Sequence, residues 1–313
     1  MKLLYAFFCA MLVLLASTTG FAMDKTAVVT TTSDLANIVS EIGNDRVEVI
    51  GLCDGSHDPH DFEIRPSMVI KVRKARLFIL LGMGLDQWAL SLIDASRNSG
   101  IRFGTDGYLD ASVCVTKLEI PQGKIDGSMG DVHPYGNPHY WLDPKNGLAI
   151  AELIAKRLAV IAPDDKEYFK ANLAEFKKKL TAKIEEWERR LAAFKGTRIV
   201  TYHRSWIYFC DCFGLDVACE LEPKPGIPPS PSHLAKVCET VQGGKLGVLL
   251  MEPFYSRKAA DFVAEKTGVK VLVCANSVGG DEGAKTYVDV IENVVNAVCS
   301  ALEQQASGDQ EAD

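Results

Sequence analysis

Beyond its first two dozen residues, the chain has no apolar run approaching the roughly 20 residues that a membrane-spanning helix needs. It has no low-complexity tract and no close internal repeat. Basic charge is not in excess: 34 Lys and Arg stand against 41 Asp and Glu, for a net charge of −7. Neither nucleic acid nor an anionic membrane surface is therefore expected as the main partner; the mild acidity is compatible with a cationic ligand. No His-Glu-x-x-His motif occurs, and the cysteines lack the paired spacing of zinc ribbons. Histidine itself is scarce, with six in 313 residues.

Four of those six fall in three short segments set far apart. They are Gly55-Ser56-His57-Asp58-Pro59-His60-Asp61-Phe62-Glu63, Gly136-Asn137-Pro138-His139-Tyr140-Trp141-Leu142-Asp143-Pro144 and Thr201-Tyr202-His203-Arg204-Ser205-Trp206. Neutral imidazole is the commonest protein ligand for late transition metals. Three such ligands drawn from distant segments make a site that only the folded chain assembles. Proline stiffens the backbone beside two of them, and aromatic neighbours exclude water.

The start of the chain reads as a secretory leader. Lys2 supplies the positive region, Leu3 to Leu15 the apolar region, and Gly20-Phe21-Ala22 the small residues of a cleavage site after Ala22. Cys9 follows two phenylalanines, where a lipid-modified cysteine would want small residues, so a soluble exported protein is expected. Of nine cysteines, eight lie beyond the leader: Cys53, Cys114, Cys210, Cys212, Cys219, Cys238, Cys274 and Cys299. An oxidising compartment permits disulfides, and buried thiols are the alternative. Cys210-Asp211-Cys212 is a candidate second, softer metal site.

Strand-like and helix-like stretches alternate, which implies βαβ units and parallel sheets. Strands are expected over 26–32, 46–53, 77–81, 198–202, 215–219, 246–251 and 270–274. Helices are expected over 33–42, from near Pro66, from Gly84 to Trp88 onward, and over 232–242, 257–267 and 287–304. From Asp164 to about Phe194 apolar residues recur at Phe169, Leu173, Phe176, Leu180, Ile184, Trp187, Leu191 and Phe194, with no glycine or proline between. Such a helix runs about 45 Å, and it is read as a rigid spine between two α/β lobes, an exposed coiled-coil arm being the alternative. The expected divisions are a leader at 1–22, an N-terminal lobe at 23–160, the linking helix at 161–195 and a C-terminal lobe at 196–313. Residues 120–138 form a loop of the first lobe. In open α/β sheets ligands gather beyond the carboxyl ends of strands, which would bring the three histidines to a cleft between the lobes.

Taken together, these segments resemble the metal-binding receptors, or solute-binding proteins, of zinc and manganese ABC transporters. The likeness lies in Asp58-Pro59-His60-Asp61-Phe62-Glu63, Pro138-His139-Tyr140-Trp141-Leu142-Asp143-Pro144, Tyr202-His203-Arg204-Ser205-Trp206 with Tyr208, Glu252-Pro253, and Cys274 to Gly280. It extends over essentially the whole mature chain. The resemblance implies periplasmic capture of a divalent metal by His60, His139 and His203, working as a monomer with a membrane permease. Many members carry an aspartate where this chain has Asn276, which puts the fourth ligand in question: water, Asn276, Asp281 or Glu282. Three imidazoles favour zinc over manganese, which prefers more oxygen, and they leave the metal's double charge uncompensated. Glu63 and Asp143 are the expected carboxylates behind the histidines; Asp143-Pro144 equally suits a helix N-cap with proline at N1. His133, in the short loop, is expected to be solvated, transient capture of metal being the alternative. A zinc hydrolase using an open three-histidine site, and an adhesin on the same fold, are the competing functions.

Overall fold

A computed structural model describes residues 25–123, 129–130 and 132–312. The expected leader at 1–22 and part of the 120–138 loop lie outside the described residues. Among the described residues, eight strands form two four-stranded sheets. β1 (Thr26–Thr32), β2 (Val47–Cys53), β3 (Leu77–Leu80) and β4 (Tyr108–Asp110) are ordered β2-β1-β3-β4. β5 (Arg198–Thr201), β6 (Asp216–Glu220), β7 (Val248–Met251) and β8 (Lys270–Val273) repeat that plan as β6-β5-β7-β8. Every pairing between these strands is parallel. All four residues of β3 and of β7 are buried, as parallel strands covered on both faces require.

The helices that cover the sheets are α1 (Ser33–Gly43), α2 (Pro66–Lys74), α3 (Trp88–Ser96), α4 (Pro144–Ile161), α5 (Lys166–Leu191), α6 (Ile207–Phe213), α7 (Pro231–Gly244), α8 (Lys258–Thr267) and α9 (Tyr287–Ala312). The α/β reading with two parallel sheets holds. Two short elements escaped it, and the 18-residue α4 was anticipated only as a candidate helix start at Asp143-Pro144. β4 has only three residues, too few to show a period, and α6 follows directly on the third histidine segment as two aromatic-rich turns.

Helix α5 is the expected spine, extended by 3-10 turns at Pro163–Asp165 and Ala192–Phe194. Six of its eight stripe residues (Phe169, Phe176, Leu180, Ile184, Trp187 and Leu191) are buried. Leu173 and Phe194 pack against the same core. An exposed arm is therefore excluded. Burial of each large apolar side chain contributes about 1.5–3 kcal/mol. On the N-terminal side Asn172 Nδ2 donates to Ile42 O at 2.9 Å. On the other, Lys183 Nζ, Trp187 Nε1 and Arg190 Nη1 all donate to the Glu292 carboxylate of α9. Burial pushes that carboxyl up, but these three donors hold its pKa below the ordinary value.

One apolar core runs from β1 and α1 through α5 to β5 and α9. Polar contacts join the halves where the 276–278 loop meets α1. Val278 N donates to Asp34 Oδ1 at 3.0 Å, and Val278 O accepts from Ser33 Oγ at 2.6 Å and Gly55 N at 3.0 Å. Trp141 Nε1 donates to Asn276 O at 2.7 Å. The two sheets are thus held with their carboxyl edges toward one region.

The cysteines are all free thiols among the described residues, and Cys53, Cys210, Cys238, Cys274 and Cys299 are buried. Buried thiols, not disulfides, are the outcome. The idea of a soft metal site at Cys210 and Cys212 is corrected by geometry. Residues two apart on a helix do not face each other, so on α6 Cys210 enters the core while Cys212 remains half-buried.

Candidate metal centre

His60, His139 and His203 are brought together: one ring nitrogen from each lies within 4.8 Å of the others. Their ring centroids are spaced 5.2, 5.3 and 5.2 Å apart. His139 and His203 are only 3% and 2% exposed. They border a cavity of about 220 Å³, also lined by Asn137, Arg204 and His133.

Two of the three are built by the same local device. Asp58 Oδ1 accepts from the backbone N–H of His60 at 2.9 Å and from its Nδ1 at 2.8 Å. Asn137 Oδ1 does the same for His139, with both distances 3.0 Å. An Asx side chain reaching back to the main chain two residues on is a favoured turn, and the intervening proline pre-sets the backbone. The Asn137 amide can point only one way, because its Nδ2 donates to Glu119 Oε2 at 3.1 Å and Arg204 O at 2.9 Å. The third histidine follows β5 in extended conformation, and its Nδ1 donates to Glu222 Oε2 at 2.7 Å, just beyond the neighbouring β6.

Each acceptor demands a proton on Nδ1, so each ring keeps its Nε2 lone pair free. The Nε2 of His60 is buried and has no partner. Three lone pairs of matched tautomer facing one another are what a metal ion takes and what a hydrogen-bonded core does not need. Burial, then the neighbouring His60, His203 and His133, holds the His139 pKa well below the ordinary imidazole value. That ring stays neutral and able to donate its lone pair into acid.

The carboxylates behind the histidines differ from those expected. Glu63 is exposed, since the segment turns outward after the 3-10 turn Pro59–Asp61. Asp143 caps α4 by accepting from Lys145 N at 2.8 Å; its capping reading holds and its place behind His139 goes to Asn137. Asp58 and Glu222 are the acidic groups that back the site, and they supply charge to offset a bound cation. Burial pushes the Asp58 carboxyl up, yet its bonds to His60 outweigh that and leave it below the ordinary range. The Asp-Pro-His and Asn-Pro-His spacings were visible signals for Asp58 and Asn137. Glu222 had none, because its place depends on strand pairing.

Aromatic rings wall the cluster. Trp88 Nε1 anchors the first segment by donating to Pro59 O at 3.1 Å, and Trp141 stands 5.3 Å from His139. Tyr255 stacks on Tyr202 at 4.5 Å and its hydroxyl donates to Asp58 Oδ2 at 3.3 Å. Arg204, beside the third histidine, bridges Glu119 and Glu220. Glu252, directly after β7, is fully buried and neither of its oxygens has a well-formed hydrogen bond. Burial drives its pKa from 4.5 to about 8; the Ser205 hydroxyl opposes the rise and the charges of Asp58 and Glu222 add to it.

Asn276 is buried at 2% exposure with its Oδ1 unpartnered. Asp281 Oδ1 is engaged by the backbone N–H groups of Gly283 and Ala284 at 2.8 Å each, and Glu282 is exposed. His133 departs from expectation. It is half-buried, its Nε2 has no partner, and its ring lies 5.2 Å from that of His60. Burial, followed by His60 and His203, lowers its pKa to about 4, so it is a neutral member of the site's surroundings and not a solvated loop residue.

Known proteins share this plan. A family model described as zinc-uptake complex component A, periplasmic, matches residues 28–301. The zinc-binding lipoprotein AdcA of Streptococcus pneumoniae serotype 4 is 26% identical over 309 residues, covering 97% of this chain and 61% of its own length. The chain thus spans about three fifths of that relative. The manganese-binding lipoprotein MntA of Halalkalibacterium halodurans is 25% identical over 283 residues, 88% of each chain. A crystal structure of ZnuA superposes with a TM-score of 0.75 at 25% identity, covering 89% of this chain and 99% of that one.

Proposed function

This chain belongs to the family of periplasmic zinc-uptake complex A components, and on that premise we propose that it captures one divalent transition metal ion, zinc foremost, and delivers it to an ABC permease for import. The observation that carries the reading is the convergence of three Nε2 lone pairs, each fixed by an acceptor on Nδ1. His60, His139 and His203 are the ligands of this proposal, with Asn276 the nearby oxygen donor considered for the fourth position. Zinc is favoured because the donor set is imidazole, whereas manganese prefers carboxylate and water oxygens. Relatives named for zinc and for manganese both occur, so the donor set and not the family supports the choice. An open three-histidine site also suits a hydrolase, but this family consists of substrate-binding proteins of transporters.

The lobes 23–160 and 196–313, held by the helix at 161–195, form the cleft in this reading, and a continuous spine and core favour small lobe motions on loading. Removal of a leader after Ala22 would release the receptor as a monomer in the periplasm. Calorimetric titration of zinc and of manganese into chelator-stripped protein tests the proposal. One zinc per chain, bound more tightly than manganese and strongly weakened by His60→Ala, His139→Ala or His203→Ala, is the expected result. Unchanged zinc titrations in all three variants would overturn the ligand assignment.

A further inference from the structure

The fourth coordination position is open to a group that sequence spacing did not single out. Asp281 is occupied by backbone donors and Glu282 faces solvent, which removes the two carboxylates that follow the 276–280 loop in sequence. His133 lines the same cavity as His139 and His203. Its ring centroid stands 5.2 Å from that of His60, the spacing that the three clustered rings keep among themselves. Four imidazoles around zinc, with Zn–N about 2.0–2.1 Å and tetrahedral angles, set neighbouring ring centres about 5 Å apart. The buried Nε2 atoms of His133 and His60 are both without a hydrogen-bond partner. A buried polar atom left unpaired is costly, and one arranged beside three facing imidazoles is explained by a ligand that takes its lone pair.

We propose that His133 supplies the fourth nitrogen, closing the site as a tetrahedral four-imidazole zinc centre. This rests on the capture reading above and names the residue that sets its metal preference. His133 stands against His60 and outside the three-nitrogen cluster, so a shift of this side chain toward His139 and His203 completes the tetrahedron. Four neutral nitrogens at fixed tetrahedral angles suit zinc and cobalt, and suit manganese poorly. Zinc selectivity then comes from a single loop histidine, while Asp58 and Glu222 offset the charge from behind the ligands.

Cobalt(II) is the probe. Metal-stripped wild-type protein, His133→Ala and His133→Gln are each loaded with cobalt, then titrated with zinc and with manganese. The wild type should give the intense visible bands of a four-coordinate centre, and zinc-edge X-ray absorption should count four imidazole nitrogens. Both His133 variants should lose band intensity, show three imidazoles and bind zinc at least about tenfold more weakly. Their manganese affinity should stay within about threefold of wild type. Unchanged spectra and zinc affinity in both His133 variants would overturn the assignment. A wild type that binds no zinc would instead defeat the capture reading itself, whatever the variants do.

Discussion

Replacing Glu252 by glutamine should make the metal-free protein more stable, by an amount that grows with pH. The carboxyl is fully buried behind β7, and its pKa rises from 4.5 to about 8 on folding. Below pH 4.5 the folded and unfolded chains both hold the proton and the residue has no effect on the pH slope. Between 4.5 and 8 the folded chain keeps a proton that the unfolded chain releases. Each unit of rising pH across that window therefore removes about 1.4 kcal/mol of stability. The accumulated cost at pH 7 is roughly 3 kcal/mol, and it levels off above pH 8. Glutamine has nearly the same shape and does not titrate. Its amide adds a constant offset, so the informative quantity is the change in the difference between variant and wild type. Chelator-stripped proteins unfolded in urea at pH 5, 6, 7 and 8 should show that difference moving in favour of the variant by roughly 1 kcal/mol or more per unit. Asp34 and Asp86, both raised to about 6 by burial, titrate alike in the two proteins and cancel. Parallel curves for variant and wild type would refute the claim that Glu252 is held protonated.

Glu222→Gln keeps an acceptor for His203 Nδ1 but removes the charge, and zinc affinity measured by chelator competition should fall about 10–100-fold with little change in the apo melting temperature. At Gly55 an added Cβ would stand 2.6 Å from Gly280 N and closer still to Ser277 O. Gly55→Ala should therefore cost about 1–3 kcal/mol in denaturant unfolding, because the lobe contact through Gly55 N and Val278 O must shift. Thiol titration of the unfolded mature protein should count eight free cysteines, and reductant should leave its melting curve unchanged. In the native state Cys53 and Cys274 should react slowly, since burial pushes both thiols up to about 12.

How much of the site was legible depended on how local each contact is. In Asp58-Pro59-His60 and Asn137-Pro138-His139 the orienting group sits two residues before the ligand, so the turn and the ring orientation belong to one short segment. The proline beside each of these histidines is the conspicuous neighbour, but the Asx residue before it is the informative one. Glu63 and Asp143 have the charge and the nearness in sequence but not the place, because a 3-10 turn and a helix start rotate them away from the rings. Glu222 is 19 residues from His203, and only the parallel pairing of β5 with β6 makes them neighbours. The solvated reading of His133 failed for the same kind of reason, since nothing in its own loop announces the His60 ring 5.2 Å away.

The sequence by itself determined the class of fold and the ligand type. Alternating apolar strands and helices leave a parallel α/β plan as the way to bury them, the unbroken stripe of α5 demands a cover along one face, and scarce histidines beside Asx-Pro turns declare imidazole chemistry. Tertiary structure decided which nitrogen each ring offers, what charge stands behind it, and which side chains share the cavity. Those properties arise between groups on different strand ends, where distances of about 3 Å are set by sheet register and lobe contacts and by nothing within any one segment.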